Sequence, residues 1–107
     1  MNTNINSKDL NLLKIFLVVA EELNLTQASK RLGLSQPALS HSLQRLRDEF
    51  EDPLFVRGSR GLVATPRVQR MVPQIREILS LSESLYRGPA LDDFRALERN
   101  FVLGATT

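Results

Sequence analysis

The tightest constraint in this sequence is a spacing: Gly33 stops a helix barely two turns long, and after Leu34 alone Ser35 opens another. Glycine just past a helix end takes the left-handed conformation without steric cost, and a serine hydroxyl accepts from the free N–H groups of the turn that follows it. Pro37 falls in that first turn, where a missing N–H is harmless, and Leu39, Leu43, Leu46 and Phe50 recur along one face of the helix it begins. Upstream, Thr26 is placed to cap the short helix, expected over Gln27 to Leu32. A longer one is expected from about Lys8 to Leu23, capped by Ser7 with Asp9 in its first turn, and with Leu10, Leu13, Leu17 and Ala20, flanked by Phe16 and Leu23, as its apolar face. Two helices joined so tightly cross closely only if small residues lie midway along the first. Ala28 and Ser29 supply them, and Leu32, Leu34 and Leu39 lock the pair. The expected core is Leu13, Phe16, Leu32, Leu39, Leu43 and Leu46.

Asp52-Pro53 ends the third helix, and Leu54 to Arg57 and Leu62 to Ala64 are strand-like runs around Gly58-Ser59-Arg60-Gly61, read as a four-residue turn in a small hairpin. Thr65-Pro66 is a further cap and first-turn proline. From there Val68, Met71, Val72, Ile75, Ile78, Leu79 and Leu85 recur at helical steps to about Arg87, with a slight bend expected at Pro73 and a stop at Gly88-Pro89. A helix from Pro66 to Arg87 is about 33 Å long. That exceeds what a core of three short helices can cover, so part of it is expected to meet another chain.

The 107 residues amount to one domain, and 42% hydrophobic with 24% charged residues is enough to build its core, which excludes a disordered tail or a fibrous repeat. The absence of cysteine excludes disulfides, thiolate metal sites and a thiol nucleophile, and agrees with a reducing cytoplasm. The longest apolar run, Ile15 to Ala20, is far short of the roughly 20 residues a membrane span needs. Met1 to Asn6 lack the basic-then-apolar order of a secretory signal and read as a polar lead-in.

The net charge of +2 hides a segregation: Arg57, Arg60, Arg67, Arg70 and Arg76 follow one another without an acidic residue, directly after Asp48, Glu49, Glu51 and Asp52. Arginine forks onto phosphate better than lysine does, which makes an anionic polymer a candidate partner. The third helix adds to this. Away from its leucines it presents Gln36, Ser40, His41, Gln44, Arg45 and Arg47, short or flat polar groups suited to base edges and phosphates, where a helix kept merely soluble carries Lys and Glu more often. His41 stands alone, without Cys or a second His, so neither a zinc site nor a Ser-His-acid arrangement is expected. Four adjacent carboxylates at one helix end cannot converge on one ion, and no cofactor or enzymatic activity is expected. The rival class is a protein-interaction module, which an apolar third-helix face would indicate; Gln36, Ser40 and Gln44 argue against it.

The runs Leu25-Thr26-Gln27-Ala28-Ser29, Ser35-Gln36-Pro37-Ala38-Leu39-Ser40, Leu46-Arg47 and Pro53-Leu54-Phe55-Val56-Arg57, ending in Thr65-Pro66, resemble the N-terminal part of LysR-type transcriptional regulators over about residues 8 to 87. The resemblance implies a mostly α fold, a winged helix-turn-helix of three helices plus a hairpin wing, followed by a long dimerisation helix. It implies duplex DNA as partner, an interrupted palindromic operator bound by a homodimer, and a tetramer in the full-length protein, acting in the bacterial cytoplasm with no membrane. Base readers by this resemblance are Gln36, Pro37, Ser40 and His41, with Arg60 as wing contact and Arg57 near the backbone. The full expected DNA-binding set adds Gln27, Ser35, Gln44 and Arg45, and the dimer seam comprises Val68, Met71, Val72, Ile75, Ile78 and Leu79. Where many members carry Arg after the second Ser of the motif, this chain has His41. The expected division is 1–65 for the winged domain, 66–88 for the linker helix and 89–107 for a hinge and the start of an effector-binding domain, whose first strand Phe101-Val102-Leu103 resembles. The chain is accordingly expected to be a DNA-binding fragment of a longer regulator.

Overall fold

Each helix is entered from a β-region residue, though not always the one the spacing suggested. The computed structural model describes residues 9–88: α1 (Leu10–Glu22), α2 (Leu25–Leu32), α3 (Gln36–Phe50), β1 (Phe55–Gly58), β2 (Gly61–Ala64) and α4 (Pro66–Arg87). Asp9 rather than Ser7 caps α1, its Oδ1 accepting from the Asn11 N–H at 2.8 Å. Asn24 rather than Thr26 caps α2, accepting from the Gln27 N–H at 2.9 Å, so that Thr26 lies inside the first turn. Ser35 caps α3 as expected, its Oγ accepting from the Ala38 N–H at 3.2 Å. Thr65 precedes α4 without capping it; its hydroxyl donates instead to Asp52 Oδ2 at 2.8 Å. The polar lead-in Met1 to Asn6, Ser7 and the strand expected at Phe101 to Leu103 lie outside the described residues.

The hairpin is tighter than the spacing implied. β1 and β2 pair antiparallel from Phe55↔Ala64 to Gly58↔Gly61, which leaves Ser59 and Arg60 alone in the loop and puts both glycines in the strands. Gly61 sits at φ +120°, and a Cβ there would lie 2.7 Å from the Leu23 carbonyl oxygen. The same carbonyl accepts from the Leu62 N–H at 3.0 Å, so the wing is sewn to the corner between α1 and α2.

Phe16, Val19, Leu39, Leu46, Leu54, Phe55 and Val68 are fully buried, and the rings of Phe16 and Phe55 meet at 5.4 Å in a tilted pair. Leu43 joins them, while Leu13 and Leu32 of the expected core are only partly buried. The reason is the position of α1, which packs against α2, α3 and α4 together. Its buried residues, Leu12, Ile15, Phe16, Val18 and Val19, share one arc of the helix, and the expected row Leu10, Leu13, Leu17, Ala20 lies on the adjoining side, partly buried apart from the exposed Leu10. Ala28 and Ser29 are buried where α2 crosses its neighbours, and the Ser29 hydroxyl is satisfied by the Thr26 carbonyl at 2.9 Å.

The apolar stripe of α4, expected to serve a second chain, divides in two. Val68, Met71 and Ile75 belong to this chain's own core, with Val72 and Leu79 partly buried against it, so these five of the six expected seam residues already pack within the chain. Beyond them Ile78, Leu81, Leu85 and Tyr86 are exposed. The first half of α4 is thus continuous with the winged domain, and the helix runs through Pro73 unbroken.

Candidate nucleic-acid interface

Leu39, Leu43 and Leu46 turn one face of α3 into the core, and that burial decides what the opposite face presents. Gln36, Pro37, Ser40, His41, Gln44 and Arg45 are all exposed there. Gln36, Ser40 and Gln44 form one row at four-residue steps and Pro37, His41 and Arg45 the row beside it, each about 12 Å long. That length matches the width of a B-DNA major groove, about 12 Å. Ser35 and Gln27 flank the N-terminal end of the rows, both exposed.

These residues are not equally free. Gln36 Nε2 donates to Thr26 Oγ1 at 3.1 Å, which ties the first residue of α3 to the first turn of α2. Gln44 Nε2 donates to Asp48 Oδ1 at 3.1 Å, and Arg45 lies 3.9 Å from Glu49. Arg47, expected among the outward residues, turns back: Nε donates to the Pro53 carbonyl at 3.0 Å and Nη2 to the Phe55 carbonyl at 3.2 Å. It does not join the outward face. The acidic run disperses as well, since Asp48 and Glu49 face these α3 partners while Asp52 accepts from the Leu54 N–H at 2.8 Å and from Thr65. Those two donors hold the Asp52 carboxyl below its ordinary value.

The wing supplies the remaining cations. Arg57 is on β1 and Arg60 in the loop, both exposed, and among the described residues neither has a carboxylate partner. By contrast Arg31 and Arg76 are drawn to α1: Arg31 reaches Glu21 at 2.7 Å and Glu22 at 2.9 Å, and Arg76 reaches Glu21 at 3.2 Å. The hydrogen bond from Arg31, followed by that from Arg76, lowers the Glu21 carboxyl below its usual range. A polar groove of about 380 Å³ lies between helices and wing, lined by Asn24, Thr26 and Gln36 on one side and Arg57, Gly58, Ser59 and Gly61 on the other. The start of the outward α3 face and the tip half of the wing therefore share one concavity, with hydrogen-bond donors on both walls.

The sequence suggests other roles for Thr26 and Arg47, a helix cap and an outward polar contact, than the tertiary bonds they make. A hydroxyl at a first-turn position and an arginine six residues before Pro53 carry no local signal of the tertiary bonds they make.

The family model for bacterial regulatory helix-turn-helix proteins of the lysR family matches residues 10–69. The HTH-type transcriptional regulator SyrM 2 of Sinorhizobium fredii is 46% identical over 89 residues, covering 77% of this chain and 26% of that protein. The chain thus spans about a quarter of the length of the curated relative it matches. Among solved structures, the BenM DNA-binding domain in complex with catB site 1 DNA superimposes with a TM-score of 0.69 at 32% identity, over 74% of this chain and 89% of that one. CbnR, a LysR family transcriptional regulator, gives 0.69 at 32% identity over 82% of this chain and 29% of that one.

Proposed function

The chain belongs to the lysR family of bacterial regulatory helix-turn-helix proteins, and from that premise we propose that it binds double-stranded DNA sequence-specifically. In this reading the outward face of α3 enters the major groove and the hairpin lies against the adjacent minor groove. The observation that carries it is the shared concavity: Gln36 at the start of the recognition face and Arg57 near the tip of the wing line one groove, so a single duplex can touch both. Gln36, Pro37, Ser40 and His41 read bases, Arg60 serves the minor groove, and Ser35, Gln27 and Arg57 meet phosphates. Gln44 and Arg45 lie further along the same face and are partly engaged by Asp48 and Glu49, which makes them secondary contacts. The DNA-bound BenM domain supports this placement by likeness of fold.

Assembly follows from the exposed half of α4. Ile78, Leu81, Leu85 and Tyr86 form an apolar surface that a second copy would cover, with Val72 and Leu79 at its margin. A two-fold dimer built on it would present paired recognition helices to an interrupted palindrome. In that division, residues 9–75 act as the DNA-binding unit and the rest of α4 as the dimerisation element.

Gln36→Ala and Ser40→Ala test the reading, since both side chains are outside the core. Each should narrow the gap between a duplex selected from a random pool by the wild-type chain and a scrambled duplex by about 1–3 kcal/mol, the worth of a good base contact. Equal losses on both duplexes would contradict base reading by α3.

A further inference from the structure

The proposed interface has two parts, α3 and the wing, and they can contact one duplex together only if the angle between them is held. Among the described residues, the side-chain hydrogen bonds from α3 to the β1 strand and the segment entering it are made by Arg47, whose backbone carbonyl also accepts from the Asp52 N–H at 3.3 Å. Its guanidinium takes the Pro53 carbonyl at 3.0 Å and the Phe55 carbonyl at 3.2 Å, one bond on each side of Leu54. Leu54 is the pivot of that segment: it is fully buried and holds φ at +63°, an unfavourable conformation for a branched side chain. Its N–H is taken by Asp52, and its carbonyl accepts from the Thr65 N–H at 2.8 Å where the hairpin returns. The far strand is separately pinned, through Leu62 to the Leu23 carbonyl. Arg47 is therefore the link through which the recognition helix sets the direction of β1, and with it the place of Arg57 and Arg60.

We infer that Arg47 is a positioning residue for DNA recognition, acting through the wing and touching no DNA itself. The inference rests on the proposed DNA-binding reading and adds a specific coupling to it. Planarity matters here. Two donors in one rigid fork fix an orientation, whereas an ammonium on a flexible stem cannot hold both carbonyls at those angles. The charge is also partly enclosed by these bonds, which removes it from the phosphate-facing set.

A double-mutant cycle on the full chain tests this, with Arg47→Met and Arg60→Ala made singly and together and binding measured on a duplex selected by the wild type. A coupled pair shows non-additive losses. Arg47→Met should weaken binding about five- to tenfold in the wild-type background and about twofold or less once Arg60 is gone. Minor-groove protection beside the wing should fade in Arg47→Met while major-groove protection under α3 persists. Arg47→Lys keeps the charge and should behave as Arg47→Met does; it also serves as the cycle partner if circular dichroism shows Arg47→Met unfolded. Additive losses, or full affinity in Arg47→Lys, would overturn the inference, the second by showing that charge alone suffices. A wild-type chain that selects no duplex would overturn the DNA-binding reading itself, a result distinct from binding with additive losses.

Discussion

Replacing Ile75 by Asp should unfold this chain, whereas replacing Leu85 by Asp should leave it folded and separate the proposed dimer. Both residues are apolar and on the same helix, but Ile75 is 3% exposed and Leu85 77%. Burial of an isoleucine side chain contributes about 1.5–3 kcal/mol. An unpartnered polar group in its place costs roughly 2 kcal/mol or more beyond that, and more if it is charged. The sum, at least about 4 kcal/mol, matches or exceeds a large share of the roughly 4–12 kcal/mol that holds together a domain of this size. Leu85→Asp, by contrast, loses almost no burial within the chain and should change the fold's stability by under about 0.5 kcal/mol. In a dimer sealed by the exposed half of α4 it would put a carboxylate into a desolvated seam. Urea unfolding followed by circular dichroism reads the first effect and sedimentation velocity at micromolar concentration the second. A folded Ile75→Asp with a wild-type urea midpoint would refute the assignment of the first half of α4 to this chain's core. A monomeric wild type, or a Leu85→Asp variant as dimeric as wild type, would refute the seam.

Gly61→Ala should detach the wing, because φ +120° is unfavourable for alanine and the new Cβ would meet the Leu23 carbonyl oxygen at 2.7 Å. Gly33→Ala, at φ +69° with open space around it, bears only the conformational penalty. The melting temperature should therefore fall further for Gly61→Ala, at about 4–8 °C per kcal/mol for a domain this small, and equal shifts would contradict the docking of β2 on the α1–α2 corner. Acid should weaken the fold through Asp52 and Glu21. Both carboxyls are held below their ordinary values in the folded chain, so their contribution is complete above the normal carboxylate range and disappears as pH falls through their lowered values. Asp52→Asn should accordingly flatten the drop in urea midpoint between about pH 6 and pH 3, and an unchanged drop would remove Asp52 from this account.

The helix-turn-helix was legible because its signals are local. Gly33 at φ +69°, the Ser35 cap and Pro37 act within a few residues of themselves, and no distant contact is needed to place them. Where position depends on packing, the spacing said less. Leu23 and Glu51 end α1 and α3 in the left-handed conformation without being glycine, so neither terminus carries the local signal that Gly33 gives α2, and Asp52-Pro53 bounds α3 only from beyond its end. The orientation of α1 was misjudged because an amphipathic reading assumes one buried face, and three neighbouring helices bury one arc of this one and partly bury the adjoining side. Periodicity along α4 identifies apolar positions but not what covers them, so it does not separate buried Ile75 from exposed Leu85. Arg47 shows the same limit for polar residues. Its helical position flanks the leucine face, and its stem is long enough to bring the guanidinium round to two carbonyls, one in β1 and one just before it.

The most direct measurement is fluorescence anisotropy of the wild-type chain on its selected duplex and on a scrambled one, at about 50 and about 200 mM salt. Each phosphate neutralised by a residue such as Arg57 should steepen the fall of log K with log salt by about 0.9, so affinity for both duplexes should drop sharply while the selected one stays ahead at each salt concentration. Affinity that does not change with salt, or that is the same for both duplexes throughout, would contradict recognition of DNA by α3 and the wing.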